Sequence, residues 1–521
     1  MKYPYGNSRS ISCILYLCIL YLFDKPKFEL TNCTVTPSIP FPIQSTEIYM
    51  ENTNQNQVKV PRRVLGSLLA SVSAGVVPRA GAPYIAIGRK DEITALLSDL
   101  EQIDQGGGSM RFLIGRYGSG KSFLIQLIRG YALERDFITA DADLSPERRL
   151  YGSGGSGVAT YRELMKNLAS KASPDGGALP KLIARWIGMM QDELITNGVS
   201  PEDPRFDDLM TRKVSDTMRE LEFLVGGFDF ARVITAYYKA YREDGETARL
   251  RMSACLRWLR GEYATKTEAR SELGFPVSVI IDDDNWYDFL KLWASLVRKM
   301  GYRGLMVFID ECVNLYKIVH RVSRENNYEK ILSMFNDTLQ GRAPGLGIVF
   351  GGTPQFLEDS RRGLFSYEAL RSRLCDSRFA LEGFKNLIGP VIRLRRLADD
   401  ELLALIRRVT ALYAQFYNWE CRITDAQQLA FLNLCLSRAG ADSLITPREM
   451  LRDYMTVLNI LMQNPEATFE QVVGAAVTLK PTGDGDGDGD GDAWVPTAAE
   501  KGTTPMTAED KKKFNPEDLD F

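Results

Sequence analysis

A single histidine, His320, occurs in the 521 residues, and its isolation excludes a good deal of chemistry. No histidine-dependent nucleophile triad and no histidine-rich metal centre can be assembled except around that one side chain. Eight cysteines are present (Cys13, Cys18, Cys33, Cys255, Cys312, Cys375, Cys421 and Cys435), but no two form a C-x-x-C pair. They indicate neither a zinc site nor a disulfide framework, and a reducing compartment suits them. A charge excess of one sign is also missing, because 64 Lys and Arg stand against 67 Asp and Glu, a net charge of −3. The whole molecule therefore has no basic bias of the kind that drives nonspecific nucleic-acid binding.

The chain does have an apolar content of 45% with 25% charged residues. That is enough to bury a large core in two or three domains. Residues 115 to 122 read Gly115-Arg116-Tyr117-Gly118-Ser119-Gly120-Lys121-Ser122, a complete G-x-x-x-x-G-K-S phosphate loop. Arg111 to Ile114 read as a buried strand entering it, and Phe123, Leu124, Leu127, Ile128 and Tyr131 follow at helical spacing. A strand, a glycine turn and a helix N-terminus make an anion site, since unpaired N–H groups and the helix dipole point at the bound phosphate. Lys121 adds charge for the β- and γ-phosphates, and Ser122 can ligate Mg²⁺. Gly115 to Phe123 are the expected contacts of a nucleoside triphosphate.

Leu305-Met-Val-Phe-Ile309-Asp310-Glu311 is a second apolar strand, ending in two acids. It looks like a Walker B segment, in which Asp310 would hold Mg²⁺ and Glu311 would polarise the attacking water. A core strand capped by solvated acids is the alternative for this stretch alone. No Asn-Lys-x-Asp base-reading motif is present, which separates the chain from signalling GTPases and leaves ATP as the expected nucleotide.

Further segments resemble ATPases of the AAA+ type. A third strand, Leu346 to Phe350, runs into Gly351-Gly352-Thr353-Pro354, and Thr353 falls where such ATPases carry the polar sensor 1. Arg371 and Arg373 follow, at the place of an arginine that reaches a neighbouring subunit's nucleotide; a solvated helix face is the alternative. Thr446-Pro447-Arg448-Glu449 opens a helix with Thr as N-cap and Pro at the first position. Arg448 is thereby a sensor 2 candidate. Tyr84-Ile-Ala-Ile-Gly88-Arg89-Lys-Asp-Glu92 resembles the segment that packs near the adenine, so Gly88 and Arg89 join the expected nucleotide contacts.

Together these stretches resemble the P-loop ATP-binding proteins of bacterial anti-phage islands, the BREX (bacteriophage exclusion) protein BrxD and its relatives. The resemblance rests on Gly304-Leu305 through Asn314-Leu315-Tyr316-Lys317, on Arg324-Glu-Asn-Asn327-Tyr328, and on Gly352 to Asp359 leading into Arg361-Arg362-Gly363-Leu364. It covers roughly residues 60 to 475. It implies an α/β P-loop NTPase of AAA+ or ASCE type with a parallel sheet, a large helical insertion and a C-terminal helical lid. It also implies an ATPase using ATP and Mg²⁺ in the cytoplasm, working with other defence-system proteins. DNA and further copies of the chain are candidate partners, and no membrane is expected. The alternative is a nucleotide-gated switch or scaffold with little turnover.

The expected organisation is a leader over 1–59, an ATPase core split into 60–159 and 301–398, an insertion over 160–300, a lid over 399–478 and an acidic tail over 479–521. The insertion is inferred from the 188 residues between Lys121 and Asp310, far more than a minimal core needs. Amphipathic segments at 184–194, 214–224 and 248–259 make it helical. An arginine-rich stretch (Arg361, Arg362, Arg371, Arg373, Arg378, Arg393, Arg395 and Arg396) is interspersed with acids, so it reads either as a salt-bridged surface or as a DNA-tracking face.

Residues 11 to 23 form an apolar run behind Lys2 and Arg9 that resembles a signal-peptide core. It is too short for a comfortable membrane span, and export would strand an ATPase away from ATP. A start placed too early, with Met50 as the true start, is the expectation, with a membrane anchor or a cleaved signal as alternatives. At the other end, five Gly-Asp repeats over 483–492 contain nothing apolar to bury and read as a flexible acidic linker.

Overall fold

The computed structural model describes residues 60–152, 154–376, 386–438 and 446–478. The expectations for the leader, for Arg378 and for the Gly-Asp tail fall outside these residues. The chain enters through α1 (Arg62–Ser73), a 3₁₀ turn (Ala82–Ile85) and α2 (Lys90–Asp104), then forms β1 (Ser109–Ile114), α3 (Lys121–Glu134) and β2 (Ile138–Asp143). Seven helices follow among the described residues: α4 (Ser156–Lys166), α5 (Leu179–Thr196), α6 (Phe206–Arg219), α7 (Gly227–Arg242), α8 (Glu246–Leu259), α9 (Lys266–Leu273) and α10 (Trp286–Lys299). The core resumes with β3 (Leu305–Asp310), α11 (Val313–Tyr316), α12 (Arg321–Leu339), β4 (Leu346–Gly352), α13 (Pro354–Glu358), a 3₁₀ turn (Leu364–Ser366), α14 (Glu368–Leu374) and β5 (Val391–Arg393). The last helices are α15 (Asp399–Tyr417), α16 (Asp425–Arg438), α17 (Pro447–Gln463) and α18 (Phe469–Thr478).

The five strands form one parallel sheet in the order β2-β3-β4-β1-β5. Every residue of β3 and β4 is buried, as expected of parallel strands covered on both faces. The two faces serve different partners. Phe112, Ile114, Ile138, Val307, Ile309 and Phe350 pack into one core with the helices that follow β2. Leu113, Met306, Phe308, Val349 and Ile392 pack against α2 and α3 on the other side. This alternation is the period of two of an extended chain. Because β4 lies between β1 and β3, the C-terminal ends of the phosphate-loop strand and the acidic strand open onto the same edge, where α/β sheets bind ligands. The fold is that of an α/β P-loop NTPase.

The insertion is helical because its apolar residues recur at helical spacing, and several of its aromatics tie their polar atoms to neighbours within it. In α10, Trp286, Phe289, Leu290, Trp293, Leu296 and Val297 make one buried stripe. The Trp293 indole donates to the Tyr161 hydroxyl at 3.1 Å, which donates to the Leu259 carbonyl at 2.8 Å. Trp286 donates to the Leu150 carbonyl at 2.9 Å and so ties the end of the insertion to the loop after β2. The lid has its own core, in which α1 joins α15, α16 and α17 through Leu65, Leu68, Ile406, Val409, Tyr454 and Leu458. Among the described residues no helix is long and apolar enough to cross a membrane.

Candidate nucleotide site

The turn after β1 depends on glycine where the chain turns through a left-handed conformation. Gly118 and Gly120 have φ of 74° and 89°, and α3 begins directly at Lys121. Gly118 is also hemmed in by the lid, since a Cβ there would lie 2.4 Å from the Thr446 methyl carbon. The first turn of α3 presents N–H groups that no intrahelical carbonyl can satisfy, which is the anion-binding property of a helix N-terminus. Lys121 Nζ donates to the carbonyls of Gly115 at 3.0 Å and Arg116 at 3.2 Å. Burial lowers the Lys121 pKa, and the nearby Asp310 and Glu311 carboxylates oppose that shift.

The two motifs meet directly. Ser122 Oγ donates to Asp310 Oδ2 at 2.6 Å, closing a contact between residues 188 positions apart. Asp310 fits beside β4 because residue 351 is glycine; a Cβ at Gly351 would lie 2.1 Å from Asp310 Oδ1. Among the described residues no three His, Cys, Asp or Glu side chains gather closely enough to hold a metal ion by themselves. A hydroxyl and a carboxylate at this spacing are hard oxygen donors of the kind Mg²⁺ uses when phosphates and water complete its shell.

Glu311 has φ of 57°, left-handed backbone that costs a non-glycine residue about 1–3 kcal/mol. Four hydrogen bonds hold it. Its N–H donates to Asp310 Oδ1 (2.9 Å), and the next N–H, of Cys312, donates to the Gly351 carbonyl (3.0 Å). Asn314 Nδ2 donates to the carbonyls of Leu144 (2.8 Å) and Glu311 (3.2 Å). The strained turn carries the Glu311 carboxyl out to the pocket, where partial desolvation first and Asp310 second raise its pKa.

Two adjoining cavities share Val77, Ser122, Glu311 and Arg448. The first, about 250 Å³, joins Tyr117, Gly118 and Gly120, though not Gly115 or Arg116, to an apolar wall of Val72, Val76, Ile85, Ile87, Leu397 and Leu405, which has the character of a seat for a flat base. Phe123 lines the same cavity. The second, about 310 Å³, is polar and brings Asp141, Asp143 and Arg79 to the Ser122–Asp310 pair. Desolvation first, then Asp310, raises the Asp143 pKa.

The other expected contacts divide into two groups. Arg89 lines the first cavity and is buried, donating to the carbonyls of Ser119 (2.8 Å) and Arg395 (2.5 Å). It braces the loop from beneath. Gly88 lies against the Glu401 carboxyl, which pairs with Arg395. Arg448 lines both cavities, at the start of a helix whose capping box is formed by Thr446 and Glu449. Thr353, Arg371 and Arg373 line neither. Thr353 follows β4, where its hydroxyl accepts the Phe356 N–H at 3.3 Å and caps α13. Arg371 lies 3.9 Å from Glu368, and Arg373 donates to Asn336 Oδ1 and the Ala369 carbonyl, both on an exposed helix face. Farther along the arginine-rich stretch, Arg393 pairs with Glu358 and Asp376, and Arg362 lies over the Tyr316 ring.

Sequence reasoning missed Asp143 and Arg79. Asp143 carried a usable signal, because Asp-Ala-Asp ends an apolar strand at the edge where ligands bind. Arg79 carried none, since no local pattern marks it.

No curated protein matches the chain. A family model does, over residues 60–476, and its description is the BREX system ATP-binding protein BrxC/D. The match spans the sheet, the helical insertion and the lid, and the phosphate loop and acidic strand just described lie within it, so the chain belongs to the family of BREX system ATP-binding proteins BrxC/D.

Proposed function

We propose that the chain binds ATP with Mg²⁺ at this site and hydrolyses its β–γ phosphoanhydride in the cytoplasm, driving assembly or remodelling of an anti-phage defence complex. One observation carries the reading: the 2.6 Å hydrogen bond that joins the phosphate-loop Ser122 to Asp310, with Glu311 next in sequence and facing the same cavity. Lys121 leaves its loop carbonyls to neutralise the terminal phosphates. Ser122 and Asp310 hold the metal, which supplies charge neutralisation for the transferring phosphoryl group. Glu311 accepts a hydrogen bond from the attacking water and takes up its proton, which its raised pKa assists. Arg448 brings a cation from the lid to the phosphate side. Thr353, at the end of the strand between the two motifs, keeps its hydroxyl proton free to donate while it caps α13. Arg371 and Arg373, exposed on α14, are available to a neighbouring copy. DNA is the candidate on which the complex is remodelled.

A second reading, a nucleotide-gated switch with little turnover, is favoured by the lid. Its separate core touches the phosphate loop at Thr446 and Phe123, so occupancy alone could set its position. Steady-state ATP hydrolysis by wild type, Lys121→Ala and Glu311→Gln, with and without duplex DNA, separates the two. Turnover lost in both variants, by roughly 100-fold or more, supports the ATPase. Tight ATP binding with slow turnover that Glu311→Gln leaves unchanged supports the switch and overturns the hydrolytic role of Glu311.

A further inference from the structure

We infer that Arg79, on the segment between α1 and the first 3₁₀ turn, binds the terminal phosphate of ATP in cis, together with Arg448. The inference rests on the reading of the pocket as an ATP site. Helix α1 belongs to the lid core, not to the sheet. It ends in a Schellman turn, with the Gly75 N–H on the Val72 carbonyl and the Val76 N–H on the Ser71 carbonyl. Gly75 takes the left-handed conformation (φ 66°) that this turn needs, and a Cβ there would lie 3.8 Å from the stem of Arg448 and 3.5 Å from that of Arg452. The chain then runs along the nucleotide cavity through Val76, Val77 and Pro78 and delivers Arg79 to the polar compartment.

That compartment is lined by Asp141, Asp143, Asp310 and Glu311, and among the described residues its lining cations are Arg79 and Arg448. Besides Lys121 and a metal on the Ser122–Asp310 pair, a terminal phosphate entering beside four carboxylates gains from each guanidinium that faces it. Arg79 makes no ion pair or side-chain hydrogen bond to another described residue, and the residue is exposed. A planar fork of N–H donors with no protein acceptor, held beside a metal-type Ser–Asp pair, suits a phosphate oxygen pair. Because Arg448 opens a lid helix and Arg79 lies on the segment that leaves α1, the γ-phosphate would draw the lid core toward the sheet edge, and ADP, which lacks it, would not.

The test is titration calorimetry of the full chain with a nonhydrolysable ATP analogue and with ADP, for wild type, Arg79→Ala and Arg79→Lys. The expected result for Arg79→Ala is analogue binding weakened about tenfold, the scale of one charge-assisted hydrogen bond. ADP binding should stay within about twofold, and Arg79→Lys should recover part of the loss. ADP binding also reports that the variant is folded. Equal losses for both nucleotides, or none for either, overturn the inference while leaving the ATP site standing. Wild-type protein that binds neither nucleotide overturns the site itself, and this inference with it.

Discussion

The insertion and the lid are both helical additions to the sheet, and they are joined to it differently. Trp286, Trp293 and Phe289 of the insertion share one continuous apolar cluster with Phe112, Val307 and Phe350 of the strands. The lid cluster, built on Leu68, Ile406, Tyr454 and Leu458, is separate, and Phe123 in the first turn after the phosphate loop packs against both it and the core of α2 and α3. A region that shares a core with the sheet must unfold with it, since interiors are close-packed and exposing one side strips contacts from the other. A region with a private core can shift as a body at the cost of few contacts. The insertion is thus bound into the sheet's core, whereas the lid, which lines the candidate nucleotide cavity with Leu405, Pro447 and Arg448, is joined to the sheet by fewer shared contacts.

The most damaging way to probe this comparison is Trp293→Ala. Removing a fully buried indole should cost about 3–5 kcal/mol. Chemical denaturation followed by circular dichroism should still show the sheet and insertion melting in one transition, with nucleotide binding lost at the same midpoint. Separate transitions, with binding surviving the first, would mean that the shared core does not couple the two regions. Leu458→Ala opens a cavity in the lid core and should cost about 2–5 kcal/mol. Here the expected outcome is a lid that unfolds first, seen as a distinct low-denaturant step while the sheet midpoint holds. A uniform shift of a single transition would erase the distinction between the regions. Thr446→Ala is the mildest, removing one N-cap for about 1 kcal/mol. Hydrogen exchange should quicken in residues 446–463 and stay unchanged in β1, β3 and β4; faster exchange in those strands would show that the cap supports the sheet as well.

Much of the site could be read directly from the chain, for a specific reason. The phosphate loop is a local pattern, eight consecutive residues whose glycines and lysine fall within one turn. The acidic strand carries its candidate carboxylates on two adjacent residues, and the Thr446–Glu449 capping box is written over four positions. Arginines were harder to place. Arg371 and Arg373 lie on α14 with Glu368 and Asn336 as neighbours, while the unremarked Arg79 lines the polar cavity. Nothing in an arginine's flanking residues says which distant surface its long stem will reach. β5 went unread because three residues, Val391–Arg393, give no periodicity, and it exists only by pairing with Phe112 to Ile114.

By itself the sequence determined the ATP-binding family, the candidate phosphate loop and acidic strand, and the helical character of the segments around the sheet. All of these depend on spacing within one turn, one strand or one helix face. Tertiary structure alone decided the strand order that brings Ser122 to Asp310 across 188 positions, the sharing of one core by insertion and sheet, and the return of α1 into the lid. Those outcomes depend on which apolar faces find each other across long stretches of chain, and many pairings satisfy the same local pattern until the whole core closes.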